Sequence, residues 1–241
     1  MDIVFITLFP EEVKRFFIKG IFQSAANSGL FRPQFVNLRD FSSSPHHKVD
    51  EYPYGGKRGM VLRADILKGA IESIPNYQSY DIIYTCPKGP IFTQLHAMQL
   101  VKKRGIIIIS GYYEGVDERI FDLFNIQRIS IGNIIVSSGD VAACVIAEAV
   151  VRLIPNVVGK MDSVLDDSII SGLLEYPQYT APRKIDGKNV PNVVLSGHHQ
   201  KILDWKRKQS LKTTLFLKPS LLKSATLSQD DKQQLKTILM E

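Results

Sequence analysis

Ile106-Ile107-Ile108-Ile109-Ser110-Gly111-Tyr112-Tyr113-Glu114-Gly115 is the stretch on which the fold turns. Four consecutive isoleucines do not alternate with polar residues, as a strand with one wet face would; a continuous apolar run marks a strand buried on both faces, the usual state in a parallel sheet. The glycine-bearing loop that follows leaves the carboxyl end of that strand, where ligands settle in open α/β sheets and where glycine lets backbone approach a ligand. Working outward, strand-like runs occur at Ile3–Leu8, Gln34–Leu38, Asp81–Cys86 and Ile129–Ile131. Helical patterns begin near Pro10-Glu11-Glu12, with proline and acids suited to a first turn, and recur at Arg63–Ile74, Phe92–Lys103 and Val141–Leu153. The first two-thirds therefore reads as α/β.

After Pro155 the pattern changes. Lys160 to Gly172 is polar and carries Asp162, Asp166 and Asp167, as a linker would, and a smaller, mostly helical region follows, including Gln200–Arg207 and a polar helix after Ser228. The expected organisation is a domain over 1–159, a linker over 160–172 and a basic helical domain over 173–241. Between Arg183 and Lys223 stand ten Lys or Arg against Asp186 and Asp204, a balance of +8 within a chain of net charge +6, so everything else sums to −2. Such a concentration is the footprint expected for a polyanion; a solvated, solubilising face is the ordinary alternative.

Composition bounds the rest. With 241 residues, 44% hydrophobic and 22% charged, the chain can bury a sizeable core. No run approaches the roughly 18 apolar residues that cross a bilayer, and Met1–Phe5 enters a strand directly, so a cytoplasmic protein with no membrane partner is expected. Cys86 and Cys144 are too few for a disulfide framework or a zinc site and read as structural thiols. His46, His47, His198 and His199 come in adjacent pairs that lack helical ligand spacing, so surface or RNA-facing roles are expected and no metal site is assigned. The glycine-rich dinucleotide fingerprint and the phosphate-binding loop are missing. What remains is three groups of glycine loops, at Tyr54–Met60, Ser110–Gly115 and Ser130–Asn133 with Ser137–Asp140, each of which taken alone is only a turn.

Taken in order, however, nine segments are similar to one family. They are Leu8-Phe9-Pro10-Glu11, Arg39-Asp40-Phe41, Val49-Asp50-Glu51-x-Pro53-Tyr54-Gly55-Gly56, Gly111-x-Tyr113-Glu114-Gly115-Val116-Asp117-Glu118-Arg119 and Ser130-Ile131-Gly132, followed by Arg152-x-Ile154-Pro155, Asp167-Ser168, Gly172-Leu173-Leu174-Glu175-x-Pro177-x-Tyr179-Thr180 and Val190-Pro191-x-Val193-x-Leu195-Ser196-Gly197. The chain resembles the bacterial tRNA (guanine-37-N1)-methyltransferases from residue 1 to about 220. That resemblance implies a trefoil-knotted, parallel-sheet methyltransferase domain, S-adenosylmethionine held bent by the knot loops, a homodimer and a helical domain that grips tRNA. The knot rests on resemblance alone, since chains as a rule avoid threading loops.

By motif position, Tyr84, Thr85, Pro87, Gly111, Tyr113, Glu114, Ile131, Gly132, Ile134 and Gly139 look like cofactor-binding residues. Asp167 resembles the general base that takes the guanine N1 proton, and Arg152 the cation that steadies charge growing on O6. A helix N-cap beside Ser168 and a salt bridge on its own helix are their respective alternatives. Asp50 resembles a residue that contacts the preceding guanosine, and Ser196, His199, Lys201, Lys206 and Arg207 stand as RNA contacts of the basic domain. A need for magnesium is left open. Departures from the family fall in the same loops: Tyr112 in place of Arg, Asn133 in place of Asp, Ser138 in place of Gly, Lys57-Arg58, Thr85-Cys86 and Lys88-Gly89-Pro90. They raise the expectation of a divergent enzyme of low activity, and keep open a methyltransferase of another RNA or a tRNA-binding protein that has lost catalysis.

Overall fold

The computed structural model describes residues 1–56, 58–158, 172–223 and 225–240. The chain divides into two compact units, Met1–Gly159 and Lys160–Glu241.

In the first unit five strands, β1 (Asp2–Thr7), β2 (Arg32–Asn37), β5 (Asp81–Thr85), β6 (Gly105–Ile109) and β7 (Ile126–Ile129), form one sheet in the order β2-β1-β6-β5-β7. Every pairing in it is parallel. The central strands β1 and β6 are buried at every residue, which is why their sequences lack alternation. Successive residues of β6 serve opposite faces: Ile106 and Ile108 join a core with Phe5, Phe17 and Ile146, while Ile107 and Ile109 join another with Val4, Leu67 and Ile71. The helices covering the sheet are α1 (Pro10–Phe17), α2 (Gly20–Asn27), α3 (Ala64–Glu72), α4 (Gln94–Leu100), the short α5 (Ile120–Leu123) and α6 (Gly139–Val151). A two-stranded antiparallel ladder, β3 (Asp50–Glu51) with β4 (Val61–Leu62), stands apart from the sheet.

The α/β architecture is as expected, with local differences. The fifth strand runs Ile126–Ile129, not Ile129–Ile131, because it is an edge strand whose Gln127 and Arg128 break the apolar run. Ser130 has already turned away, its N–H donating to Pro90 O at 3.0 Å and its carbonyl accepting from Phe92 N at 2.7 Å. Helix α2 carried no sequence signal: it opens at a glycine and has no side-chain cap.

In the second unit, Leu173, Leu211 and Ile238 form a small core packed by Leu215, Leu222 and Leu235. The helices are Asn192–Leu195, the long His199–Leu217 and Gln229–Met240. Ser228 starts the last of these through a reciprocal cap: Asp231 N donates to Ser228 Oγ at 3.1 Å, and Ser228 N to Asp231 Oδ2 at 2.8 Å. A hairpin, β8 (Lys184–Ile185) with β9 (Lys188–Asn189), was not expected in this mostly helical region. Its turn is Asp186-Gly187, with φ of 44° and 79°, the positive pair that a two-residue hairpin loop demands.

Candidate active site

The loops that leave β5, β6 and β7, with the first turn of α6, enclose a cavity of about 490 Å³. That is the size of a small-molecule site, and it lies at the carboxyl ends of the strands, where the fold predicts one. Every residue nominated from the sequence for cofactor binding lines it except Gly132. Gly132 stands one residue behind the wall, its N–H donating to Ser130 Oγ at 3.2 Å and its carbonyl accepting from that hydroxyl at 2.9 Å. Its φ of +145° strains any side chain placed there.

Two clasps hold the walls together. In the first, Gly139 N donates to Gly111 O at 2.7 Å, Gly111 N donates to Thr85 Oγ1 at 3.1 Å, and the buried Thr85 hydroxyl points at the carbonyls of Ile109 and Gly139, each 3.3 Å away. Two segments thus touch through backbone, and the Thr85 side chain ties the third to both. A Cβ on Gly139 would penetrate both Gly111 N and Thr85 Oγ1 and lie 2.9 Å from Gly111 O, so only glycine permits this approach. In the second clasp the Tyr112 phenol, 7% exposed, donates to Asp140 Oδ2 and lies 2.8 Å from Thr7 Oγ1, while the Thr7 hydroxyl donates to Asp140 Oδ1 at 2.8 Å. Burial, and then the Asp140 carboxylate, push the Tyr112 phenol well above its ordinary pKa, so it remains a proton donor.

The far wall is a stack that the sequence reading did not nominate. Arg128 faces Tyr84 in the β5–β7 register, and its guanidinium lies 3.5 Å from the Phe121 ring centroid. It also pairs with Glu118, and Phe121 meets Tyr84 edge-on at 5.7 Å. Arg128 is preceded by an unremarkable Gln127 on an edge strand, so only the strand register could have found it. Cys86 and Lys88 line the cavity as well.

At the rim, Tyr113 adopts φ 54° and is half exposed. Partial burial and the neighbouring Asp50 carboxylate raise its phenol pKa. Asp50 is brought there by the β3–β4 ladder, which is stitched to the Tyr112–Asp117 loop: Glu114 N donates to Met60 O at 3.0 Å, Leu62 N to Gly115 O at 2.9 Å and Asp117 N to Leu62 O at 2.9 Å.

Arg152 is elsewhere. It is the C-cap of α6, whose 13 residues rise about 1.5 Å each, so it lies roughly 20 Å from the cavity end of its own helix. Asp167 lies outside the described residues. In the second unit Ser196, His199 and Lys201 are exposed. Lys206 Nζ stands 4.4 Å over the Tyr176 ring, and Arg207 is committed to Asp231 through paired bonds of 2.9 and 2.8 Å. That pairing holds the Asp231 carboxyl down to about 2. Arg207 is accordingly a fold-holding residue first. Among the described residues no three His, Cys, Asp or Glu side chains group as a metal site would require, and no helix is long and apolar enough to cross a membrane.

Ser138, where a lost glycine threatened the pocket, has an extended backbone (φ −149°) that any residue adopts, and its Oγ accepts from Asp140 N at 3.0 Å as the N-cap of α6. That departure removes nothing from the site.

Comparison with known proteins agrees with this geometry. The sequence model of a family described as tRNA (Guanine-1)-methyltransferase TrmD matches residues 1–224. Similar proteins include the tRNA (guanine-N(1)-)-methyltransferases of Pelotomaculum thermopropionicum, 42% identical over 99% of this chain and 96% of the relative, and of Dictyoglomus turgidum, 43% identical over 100% and 97%. That of Halalkalibacterium halodurans is 42% identical over 99% and 98%.

Proposed function

Because the chain belongs to the tRNA (guanine-1)-methyltransferase family, we infer that it methylates N1 of guanine 37 in tRNA, beside the anticodon, using S-adenosylmethionine. The observation that carries this reading is the cavity at the strand ends, walled by the residues that the resemblance assigns to the cofactor and closed by the Gly139–Gly111–Thr85 clasp. Its composition fits the group: Ile131, Ile134 and Phe121 offer apolar surface to an adenine, backbone groups from three loops offer donors and acceptors, and Glu114 and Glu118 offer carboxylates at the open side. The cofactor, when bound, supplies an electrophilic methyl on a sulfonium.

The protein's part is to present guanine N1 without its proton. Asp167 serves as the general base and Arg152 balances charge growing on O6, contributions of about 10²–10³-fold or more each. Asp50, held at the rim by Tyr113, contacts the neighbouring base. Arg152 cannot serve the cavity of its own subunit from roughly 20 Å away. A two-fold homodimer removes the difficulty, one subunit supplying Arg152 and Asp167 to the other's cavity. Apolar surface for such a contact is present: Val141 and Val145, four residues apart on α6, are exposed, as are Ile135 and Val136 of the cavity wall. The loop threading implied by the resemblance is consistent with the bonds from Gly139 to Gly111 and Thr85. The +8 segment makes the second unit the tRNA-binding domain, with Ser196, His199, Lys201 and Lys206 as contacts, and the whole works in the cytoplasm.

The test is incubation of purified protein with tRNA transcripts and S-adenosylmethionine labelled at the methyl, followed by nucleoside analysis. Label in 1-methylguanosine is expected, with and without chelator to decide the magnesium question. Label in another nucleoside would assign another RNA target, and tRNA binding without label would leave a binding protein only.

A further inference from the structure

Thr7, Tyr112 and Asp140 are separated by 105 and 28 residues, yet meet in a buried cluster of hydrogen bonds. Their protons can be counted. Asp140 accepts the Thr7 proton on Oδ1 and the phenol proton on Oδ2, and Thr7 Oγ1 accepts in turn from Phe9 N at 3.0 Å. The carboxylate sits in the first turn of α6, where free N–H groups favour negative charge. Two of the three meet the cavity: Tyr112 lines it between Gly111 and Tyr113, and Asp140 follows the lining residue Gly139. Gly111 and Gly139 are themselves in backbone contact. The two segments are therefore pinned twice, by Thr85 on one side and by Tyr112 and Thr7 on the other.

We propose that Tyr112 is a positioning residue of the cofactor cavity: its phenol, with the Thr7 hydroxyl, fixes the Asp140 carboxylate and so sets the separation between the Gly111–Tyr113 loop and the first turn of α6. This deepens the functional reading above and rests on it. It also gives the departure at position 112 a purpose, since a neutral donor that does not ionise completes a carboxylate's bonding without adding a second buried charge. Removing the phenol proton leaves Asp140 short of a donor in the core, and the nearest relief is movement of the α6 first turn, which carries Gly139 with it.

The experiment is calorimetric titration of the intact protein with S-adenosylhomocysteine, alongside thermal melting and steady-state kinetics. Tyr112→Phe should weaken affinity and raise KM for S-adenosylmethionine about tenfold, with kcat at saturation and KM for tRNA within about threefold of the parent. Asp140→Asn combined with Tyr112→Phe removes the under-bonded charge and the folding cost it carries; the bond that ties the Tyr112 loop to the α6 first turn is still missing, so this variant too should bind about tenfold more weakly. Parental affinity in either folded variant, even with a lower melting temperature, would show a merely structural Tyr112 and overturn the proposal. Failure of the parent protein to bind S-adenosylhomocysteine would instead overturn the functional reading on which the proposal stands.

Discussion

Gly139 and Ser138 are neighbours at the start of α6 with opposite tolerances to a side chain. Sequence draws attention to Ser138 because a glycine is missing there, but its backbone is extended and its hydroxyl caps α6. Gly139 is the residue without room. Gly139→Ala should force the three-segment clasp apart, destabilise the protein by about 1–3 kcal/mol as overpacking does, and abolish calorimetric binding of S-adenosylhomocysteine. Ser138→Gly should cost only a few tenths of a kcal/mol and leave binding intact. Equal behaviour of the two variants would remove the clasp from the site. The glycine loops after buried strands were legible as places of backbone approach, but the individual cavity residues were named only through the family resemblance. Thr7, Arg128 and Asp140 were not, because nothing local to them signals their partners, which only the folded chain brings near.

Among the elements, the parallel strands were readable because burial on both faces writes itself as uninterrupted apolar sequence. Strand β7 and helix α2 were misplaced or missed for the converse reason, an edge strand with polar residues and a helix without a cap. The helix pair of the second unit makes a sharper test. Asp231 in the last helix is held down to about 2, chiefly by its hydrogen bonds from Arg207, against an ordinary value of 3.8. A depressed folded-state pKa contributes stability that is complete above about pH 4 and is lost as pH falls toward 2. Trp205, the single tryptophan, lies on the helix that carries Arg207 and reports its unfolding. In urea titrations followed by that fluorescence, the midpoint should fall between pH 5 and pH 2.5. Arg207→Met should lower the midpoint at pH 5 and flatten this dependence; an unchanged pH profile would show that the pair is not what ties the helices.

Two properties bear on what the molecule does as a whole. The charge concentrated in Arg183–Lys223 should make log affinity for tRNA fall linearly with log salt, by about 0.7–0.9 for each phosphate neutralised; a flat response would assign the +8 segment to solubility. If Arg152 steadies the guanine as proposed, its separation from the cavity within one chain requires a dimer for activity. Asp167→Ala and a bulky substitution at Gly132, each inactive alone, should recover activity when mixed under subunit exchange, because one of the two heterodimer sites receives intact parts from both chains. The proposed shared site is read from the family resemblance, since periodicity and composition describe one chain and not its partner. The most direct measurement compares labelled methyl transfer to two otherwise identical tRNA transcripts, one with guanosine and one with adenosine at position 37. The protein should methylate the first stoichiometrically at guanine N1 and fall by at least about 10²-fold on the second, whereas equal labelling of both, or none of either by folded dimer, would contradict a guanine-37 methyltransferase.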